Sequence, residues 1–191
     1  MDIAQCHLRN LDSLAAQGAR PGPKFVLAHF LPPHHPYLFD RDGKVLRQAT
    51  LSNQFEFQKK LWEQRGDYVD QLVYVNARID AIVGRLLAES ARPPVILLLS
   101  DHGPNLRRGL TATEHHRLRL SKLSAAYLPG APPDFLPADV TPVNLLRRVL
   151  DHYFDVGLPM LPERHFVSQF GRPFEFVEVD RNGARLEAAA H

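Results

Sequence analysis

The chain has 191 residues, of which 45% are hydrophobic and 23% charged, and its formal net charge is +2. This length and composition are typical of one globular domain with a buried core, and they exclude a disordered or collagen-like chain. The weak charge, without basic clusters interleaved with aromatic residues, argues against a nucleic-acid partner.

The cysteine content and the hydropathy of the sequence further limit the class of protein. Cys6 is the only cysteine, so an intrachain disulfide is excluded and the redox compartment stays open. No apolar run approaches the roughly 20 residues of a membrane span, and residues 1–10 lack the apolar core of a signal peptide. Taken alone, the sequence predicts a soluble protein. Its ten histidines point either to metal, phosphate or sulfate chemistry or to no function at all.

The first predicted elements are a helix, a linker and a strand. Residues 2–19 carry leucines at helical spacing and end at a Pro-Gly-Pro breaker. Residues 24–31, K-F-V-L-A-H-F-L, have the composition of a strand. The loop P-P-H-H-P-Y-L-F-D-R-D-G follows and presents His34 and His35.

These two histidines have two readings. A solvated pair of loop histidines is common and usually inert. The flanking prolines, however, fix the direction of the backbone, which lowers the cost of presenting a ligand or a hydrogen-bond donor. His34 and His35 are therefore candidate site residues.

The strongest helical signal covers residues 67–89, and a second helix is predicted at 52–62. Apolar residues recur at i, i+3, i+4 and i+7, and Asp67 is in place for an N-cap. The predicted buried face consists of Val69, Leu72, Val73, Asn76, Ile79, Ile82, Val83, Leu86 and Leu87. This helix joins the strand at 24–31 to the next one, which gives a right-handed βαβ unit.

The segment 95–104, V-I-L-L-L-S-D-H-G-P, is the centre of the predicted fold. Such an aliphatic run after two prolines is typical of a strand that is buried on both faces of a parallel sheet. It ends at Asp101 and His102, and Gly103 permits a sharp exit. Ligands bind at this edge of open α/β sheets, and Asp with His is a metal-ligating pair. In the alternative reading, Asp101 caps a turn or helix and His102 lies on the surface.

If the strands are parallel neighbours, the loop at 34–35 and the turn at 101–102 meet. The arginines of the next stretch either contact an anionic substrate or form a solvated face: Arg107, Arg108, Arg117 and Arg119. A short strand is predicted at 124–128 and a terminal one at 174–179. Between them, Thr141 as N-cap and a following proline open a helix. Its predicted buried face comprises Val143, Leu146, Val149, Leu150, Tyr153 and Phe154.

Five motifs stand in order along the chain: A-H-F-L-P-P-H-H-P-Y-L-F-D-R-D-G, Y-V-D-Q-L-V-Y-V-N-A-R-I, V-I-L-L-L-S-D-H-G-P, L-S-A-A-Y-L-P-G and T-P-V-N-L-L-R-R-V-L-D-H-Y-F. Together they resemble the C-terminal half of the sulfatase-like branch of the alkaline phosphatase superfamily, and in particular bacterial membrane-anchored sulfatase-like proteins. The resemblance implies a partial three-layer α/β sandwich with a mostly parallel sheet. Residues 24–180 would form this domain, with a helix and linker at 1–23 and a tail at 181–191.

The resemblance also implies roles for the candidate residues. In that family the Asp and His of the D-H-G motif bind a divalent cation, which implies Asp101 and His102, with Zn, Mn, Mg and Ca all open. The His of the P-H-x-P-[YF] loop faces the substrate or the metal, which implies a catalytic and substrate-binding role for His34. His35 occupies the variable position beside it and is a further substrate-binding candidate. The implied chemistry is hydrolysis or transfer at an anionic phosphate or sulfate ester.

The chain departs from the family pattern at the nucleophile. Family members carry a Ser, Thr or modified Cys nucleophile and further acidic ligands in the N-terminal half, and nothing in residues 1–23 resembles that segment. Cys6 also lacks the C-x-P-x-R context. We therefore expect an incomplete, inactive hydrolase whose partner is a missing N-terminal half or membrane segment. The alternative is a non-catalytic, truncated or degenerate sulfatase-like binding module. The membrane helices of such relatives imply the extracytoplasmic face of a bacterial membrane.

Overall fold

The computed structural model describes residues 2–46, 65–104, 109–169 and 171–186. The predicted helix at 52–62, together with Arg107 and Arg108, lies outside the described residues. The chain divides into two compact units, Met1–Pro94 and Val95–His191, and each is described by itself. The boundaries predicted at 23/24 and 180/181 stay predictions.

The first unit is built on two packed helices, α1 (Ile3–Ala15) and α2 (Arg65–Glu89). The carboxylate of Asp2 accepts the Ala4 N–H and caps α1, which confirms the first predicted helix. Two groups of buried residues form the core between the helices and the loop before α2. The first consists of Ala4, Leu38, Phe39 and Tyr74, and the second of Leu11, Ala15 and Ile82.

The prediction of a strand at 24–31 is wrong for the described residues. This segment is extended but forms no strand, and Phe25 and Leu27 are 91% and 83% exposed. An extended chain becomes a strand only when a neighbour takes up its backbone N–H and C=O groups. The composition that favoured a strand is present, but no described strand pairs with it.

The long helix is confirmed, but its predicted buried face is only partly correct: Ile82 is buried, and Ile79 and Leu86 pack against the core. The buried residues of α2 are Gln71, Tyr74 and Ile82, whereas Val69 and Val73 are 41% and 46% exposed. The helix packs through an arc that includes a polar residue, because a loop backbone lies against that arc and needs hydrogen bonds. Asp67 is also not the N-cap, since the helix already includes Arg65 and holds Asp67 in its first turn.

The second unit contains two small antiparallel sheets. Strands β1 (Ile96–Leu99) and β2 (Ser124–Tyr127) pair with Leu97 opposite Ala126. Helix α3 (Ala112–Leu120) lies between them in sequence and begins with a capping box of Thr111 and Glu114. Strands β3 (His165–Gln169) and β4 (Arg172–Val179) form the other sheet. The predicted strands at 95–99, 124–128 and 174–179 are thus confirmed as strands.

Helix α4 (Pro142–Phe154) begins where the sequence predicts, with Thr141 as N-cap and proline at its start. Its predicted buried face is largely wrong, because Val143 and Phe154 are 53% and 70% exposed. Of the predicted face Val149 is buried, and the other buried residues of α4 are Asn144 and Leu145.

A polar clamp holds the beginning of α4. The side chain of Asn144 bonds the backbone of Leu161 through both its nitrogen and its oxygen. The carboxylate of Glu163 accepts from Asn144 Nδ2 at 2.8 Å and from the Thr141 N–H at 3.0 Å. Burial acts to raise the pKa of Glu163, but the hydrogen bonds from Thr141 and Asn144 outweigh it, and the pKa is lowered. Glu163 therefore ties the backbone of the N-cap residue Thr141 to the side chain of Asn144, while the Thr141 hydroxyl makes no cap hydrogen bond.

The fold class is mixed α/β, as expected. The mostly parallel sheet is not found among the described residues, whose strands pair as two antiparallel two-stranded sheets. Strand β1 is also only partly buried and Leu99 is exposed, so the expected burial on both faces is wrong for this chain. Within the described residues, no helix combines the length and apolar character needed to cross a membrane.

Candidate functional site

The loop that carries His34 and His35 is held by a buried side chain of α2. Gln71 is fully buried, and its Oε1 accepts the N–H groups of Leu38 and Phe39 at 2.7 and 3.4 Å. Its Nε2 donates to the carbonyl of His34 at 3.2 Å. One amide group therefore bonds the loop backbone at His34 and again at Leu38 and Phe39.

Aromatic packing supports the same loop. The rings of Tyr37 and Tyr68 meet edge to face at 5.9 Å, and those of Phe39 and Tyr74 lie 5.1 Å apart. Gly43 closes the loop with a positive φ of 85°, a conformation that glycine adopts without strain. A Cβ at Gly43 would also collide with the Tyr74 ring. The loop is therefore a packed structure and not a solvated tether.

The hydrogen bond of the His34 ring defines its tautomer. Its Nδ1 lies 2.6 Å from the carbonyl oxygen of His35. A carbonyl can only accept, so Nδ1 carries the proton, and Nε2 of the neutral ring holds the lone pair. His34 is exposed, whereas His35 is partly buried. Burial, followed by the neighbouring His34, lowers the pKa of His35 and favours its neutral form.

Asp101 and His102 lie at the end of β1. The Oδ2 of Asp101 is 3.3 Å from the Nε2 of His102, and the side chains are 84% and 38% exposed. The other carboxylate oxygen of Asp101 accepts the His102 N–H at 2.9 Å. The turn thus presents an oxygen and a nitrogen together, one from each residue.

The backbone of this turn is fixed by the end of α3. The Gly103 N–H donates to the carbonyl of Arg119 at 2.8 Å. A Cβ at Gly103 would overlap the carbonyl oxygens of Leu118 and Ser121. Gly103 has no positive φ, so glycine is needed here because helix α3 approaches closely and not because the chain turns sharply.

Arg119 and the Gly103 carbonyl both lie at the Nδ1 side of the His102 ring, whereas Asp101 lies at the Nε2 side. The Nδ1 of His102 lies 2.8 Å from the Gly103 carbonyl and 2.8 Å from Nη1 of Arg119, which also bonds that carbonyl at 3.2 Å. A guanidinium N–H only donates and a carbonyl only accepts, so these two contacts belong to different tautomers of His102. When Nδ1 accepts from Arg119, the ring proton is on Nε2 beside Asp101. When Nδ1 carries the proton and donates to the Gly103 carbonyl, the lone pair of Nε2 is directed to the side of Asp101. A metal-binding histidine typically donates its other ring N–H in this way.

The pair was tested for its fit to a divalent cation. Two ligands about 2.0–2.2 Å from a tetrahedral cation lie about 3.3–3.6 Å apart, and the observed separation of Oδ2 and Nε2 is 3.3 Å. Carboxylate and imidazole suit zinc and manganese. Among the described residues, no group of three or more His, Cys, Asp or Glu side chains is placed to hold a metal. The pair thus fits two ligands of a larger set.

A cleft of about 1590 Å³ adjoins the pair within the second unit. Its basic lining comes from Arg119, Lys122 and Arg164, and histidines lie along it at 102, 115, 116 and 165. Asp101 is the single carboxylate among its described lining residues. Arg164 is already paired with Glu178. The charge of the lining nevertheless favours an anion over a cation as the larger occupant.

The structure brings the four candidate residues together as two pairs. His34 and His35 stack with ring centroids 4.0 Å apart in the first unit, and Asp101 contacts His102 in the second. That the loop and the turn meet is an expectation that spans the two units, and it stays a prediction. The role of Gln71 is not predictable from the sequence, because nothing local marks a helical glutamine as the partner of a loop more than 30 residues away.

The chain was also compared with known proteins. The model of the sulfatase family matches residues 8–151, which is more than half of the chain and includes all four candidate residues. No curated protein and no solved structure matches the chain.

Proposed function

Because the chain belongs to the sulfatase family, we propose that this sulfatase-like hydrolase domain carries part of a metal-dependent site for phosphate or sulfate esters. Asp101 and His102 are two of the metal ligands, and His34, with His35 beside it, meets the substrate. The observation that carries the proposal is the 3.3 Å pair of Asp101 Oδ2 and His102 Nε2 at the edge of a basic cleft.

The chain's own residues would divide the chemistry between them. Asp101 and His102 hold the cation, which when bound supplies positive charge against the charge that develops on the ester oxygens. The Gly103 carbonyl orients the His102 ring by accepting its Nδ1–H. His34, when its Nε2 is also protonated, donates that proton to the leaving oxygen as the ester bond breaks, and the ring returns to the neutral form with its proton on Nδ1. Lys122 draws the anionic ester into the cleft.

Further ligands, the nucleophile and the rest of the sheet would come from a segment outside these 191 residues. The exposure of Phe25 and Leu27 in an extended segment supports this, because a neighbouring strand would bury them. With such strands added, the small sheets become part of the mostly parallel, three-layer sandwich that the family resemblance implies. The missing N-terminal half, or a membrane segment that precedes it, is the proposed partner.

A second candidate is a sulfatase-like binding module without catalysis. It is favoured by the two-ligand pair, since catalytic zinc sites use about three protein ligands. Such a module would bind the metal and the anion but would gain no turnover from an added segment.

A hydrolysis assay tests the proposal. The purified 191-residue chain, with Mn²⁺, Zn²⁺, Mg²⁺ or Ca²⁺, should hydrolyse p-nitrophenyl phosphate and sulfate only at the background rate. A gene product extended upstream through a Ser or Thr nucleophile should gain turnover that Asp101→Asn abolishes and Asp139→Asn retains. Turnover by the short chain that depends on Asp101 would contradict its incompleteness. An inactive extended product that still binds metal would favour the binding module.

A further inference from the structure

The most unusual buried group in the first unit is the amide of Gln71. Glutamine is rarely buried completely, because its amide needs hydrogen-bond partners that an apolar core does not offer. Gln71 has no exposed surface and lies on α2 among the residues that pack against the loop. An apolar side chain would fill the same space without this requirement. The choice of a glutamine therefore needs an explanation.

The partners of Gln71 give that explanation. Its carbonyl oxygen accepts from Leu38 and Phe39, and its amide nitrogen donates to the carbonyl of His34. All three contacts are made to the loop backbone and none to another side chain. The glutamine thus spans from His34 to Leu38 and Phe39, which are separated from it by His35, Pro36 and Tyr37.

We infer that Gln71 is a positioning residue for His34. Its amide fixes the His34 carbonyl, while His34 Nδ1 is bonded to the next carbonyl along the chain. One hydrogen bond therefore holds the backbone carbonyl of His34 and another holds its ring, and the second keeps the proton on Nδ1. The role of His34 towards substrate rests on the proposed function, whereas the effect of Gln71 on the His34 ring does not.

Three variants of α2 separate positioning from general stability. Gln71→Met keeps the length of the side chain and removes all three hydrogen bonds. Gln71→Glu keeps the acceptor for Leu38 and Phe39 but, when ionised, has no donor for the His34 carbonyl. The control is Ile82→Ala, which truncates a buried residue of the same helix in the other group of core residues.

The measurement is ¹⁵N NMR of the His34 ring together with amide exchange in the 191-residue chain. In Gln71→Met, we expect the Nδ1 and Nε2 signals of His34 to move towards a tautomer-averaged position. The Leu38 amide should exchange about tenfold faster or more, because it loses a buried hydrogen bond. In Gln71→Glu, the Leu38 amide should stay protected while the His34 signals move. Ile82→Ala should lower stability and leave the His34 signals in place.

Unchanged His34 ring signals in Gln71→Met would overturn the inference, and so would equal shifts in Ile82→Ala. A separate titration with inorganic phosphate and Mn²⁺ tests the proposed function. If phosphate binds equally well in wild type and His34→Ala, the substrate role of His34 is wrong. Ring shifts in Gln71→Met would still support the positioning role in that case, so the two failures can be told apart.

Discussion

The His34 loop and the Asp101 turn are fixed in different ways. Side chains of α2 hold the loop, through a buried glutamine and two aromatic contacts. Backbone contacts hold the turn, where Gly103 lies against the carbonyl end of α3. The loop therefore depends on what α2 carries at a few positions, whereas the turn depends on the lack of a side chain at one.

The difference also affects exposure. His34 is exposed on a loop that continues into deeply buried residues, with Leu38 and Phe39 each 1% exposed. Asp101 is exposed, whereas Gly103 two residues later is buried. The strand before them, β1, is only partly buried. The loop should consequently lose its structure when a buried side chain beneath it is truncated. The turn should lose its structure when a side chain is added at Gly103.

The largest effect is expected from Phe39→Ala, which removes a ring packed on Tyr74. Truncating a buried phenylalanine costs about 3–5 kcal/mol of unfolding free energy. Urea denaturation should show this loss in the first unit. The matched control is Phe25→Ala, which makes the same truncation at a side chain that is 91% exposed and should be nearly neutral. Equal effects of the two variants would mean that the loop is not packed as described.

A smaller effect is expected from Gly103→Ala in the second unit. The added methyl group must displace the end of α3, and overpacking of this kind costs about 1–3 kcal/mol. The amide signals of Asp101 and His102 should shift at the same time. Gly171→Ala, where a Cβ meets open space, is the control and should change neither stability nor those signals. A fully tolerated alanine at 103 would contradict the close approach of α3.

The smallest expected effect is the loss of stability in acid. The two units should lose stability over different pH ranges. Burial lowers the pKa of His7 from its ordinary 6.5, so the unfolded chain takes up the proton first and the first unit loses stability as pH falls below that value. In the second unit, hydrogen bonds from Thr111 lower the pKa of Glu114 from 4.5. Its contribution is present above 4.5 and is lost only as pH falls further.

Residue-resolved amide exchange between pH 7 and 4, corrected for the intrinsic rate, measures this difference. Helix α1 should lose protection first, and His7→Gln should reduce that loss. If α3 and α1 lose protection over the same pH range, the difference between the units is wrong.

Local signals in the sequence predicted the elements well. Thr141 with the following proline marked the start of α4, and the aliphatic run before Asp101 marked β1. Local patterns also indicated the four candidate residues, which lie as two pairs: His34 with His35, and Asp101 with His102. Motif order was enough to indicate the family.

What the sequence could not predict depends on distant contacts. The strand at 24–31 failed because its pairing partner is not a property of the segment itself. The buried faces of α2 and α4 were predicted only in part, at Ile82 and Val149, because polar loop backbones lie against Gln71 and Asn144. The need for Gly103 was seen, but its cause was the approach of α3, which no local pattern encodes.

The most direct test of the central claim is a Mn²⁺ titration of the ¹⁵N-labelled chain. A paramagnetic cation held by Asp101 and His102 should broaden the amide signals of residues 101–103 before any others. Asp101→Asn should remove this selectivity, and Asp139→Asn should retain it. Broadening that begins at other histidines, or that is unchanged in Asp101→Asn, would contradict the assignment of this pair as metal ligands.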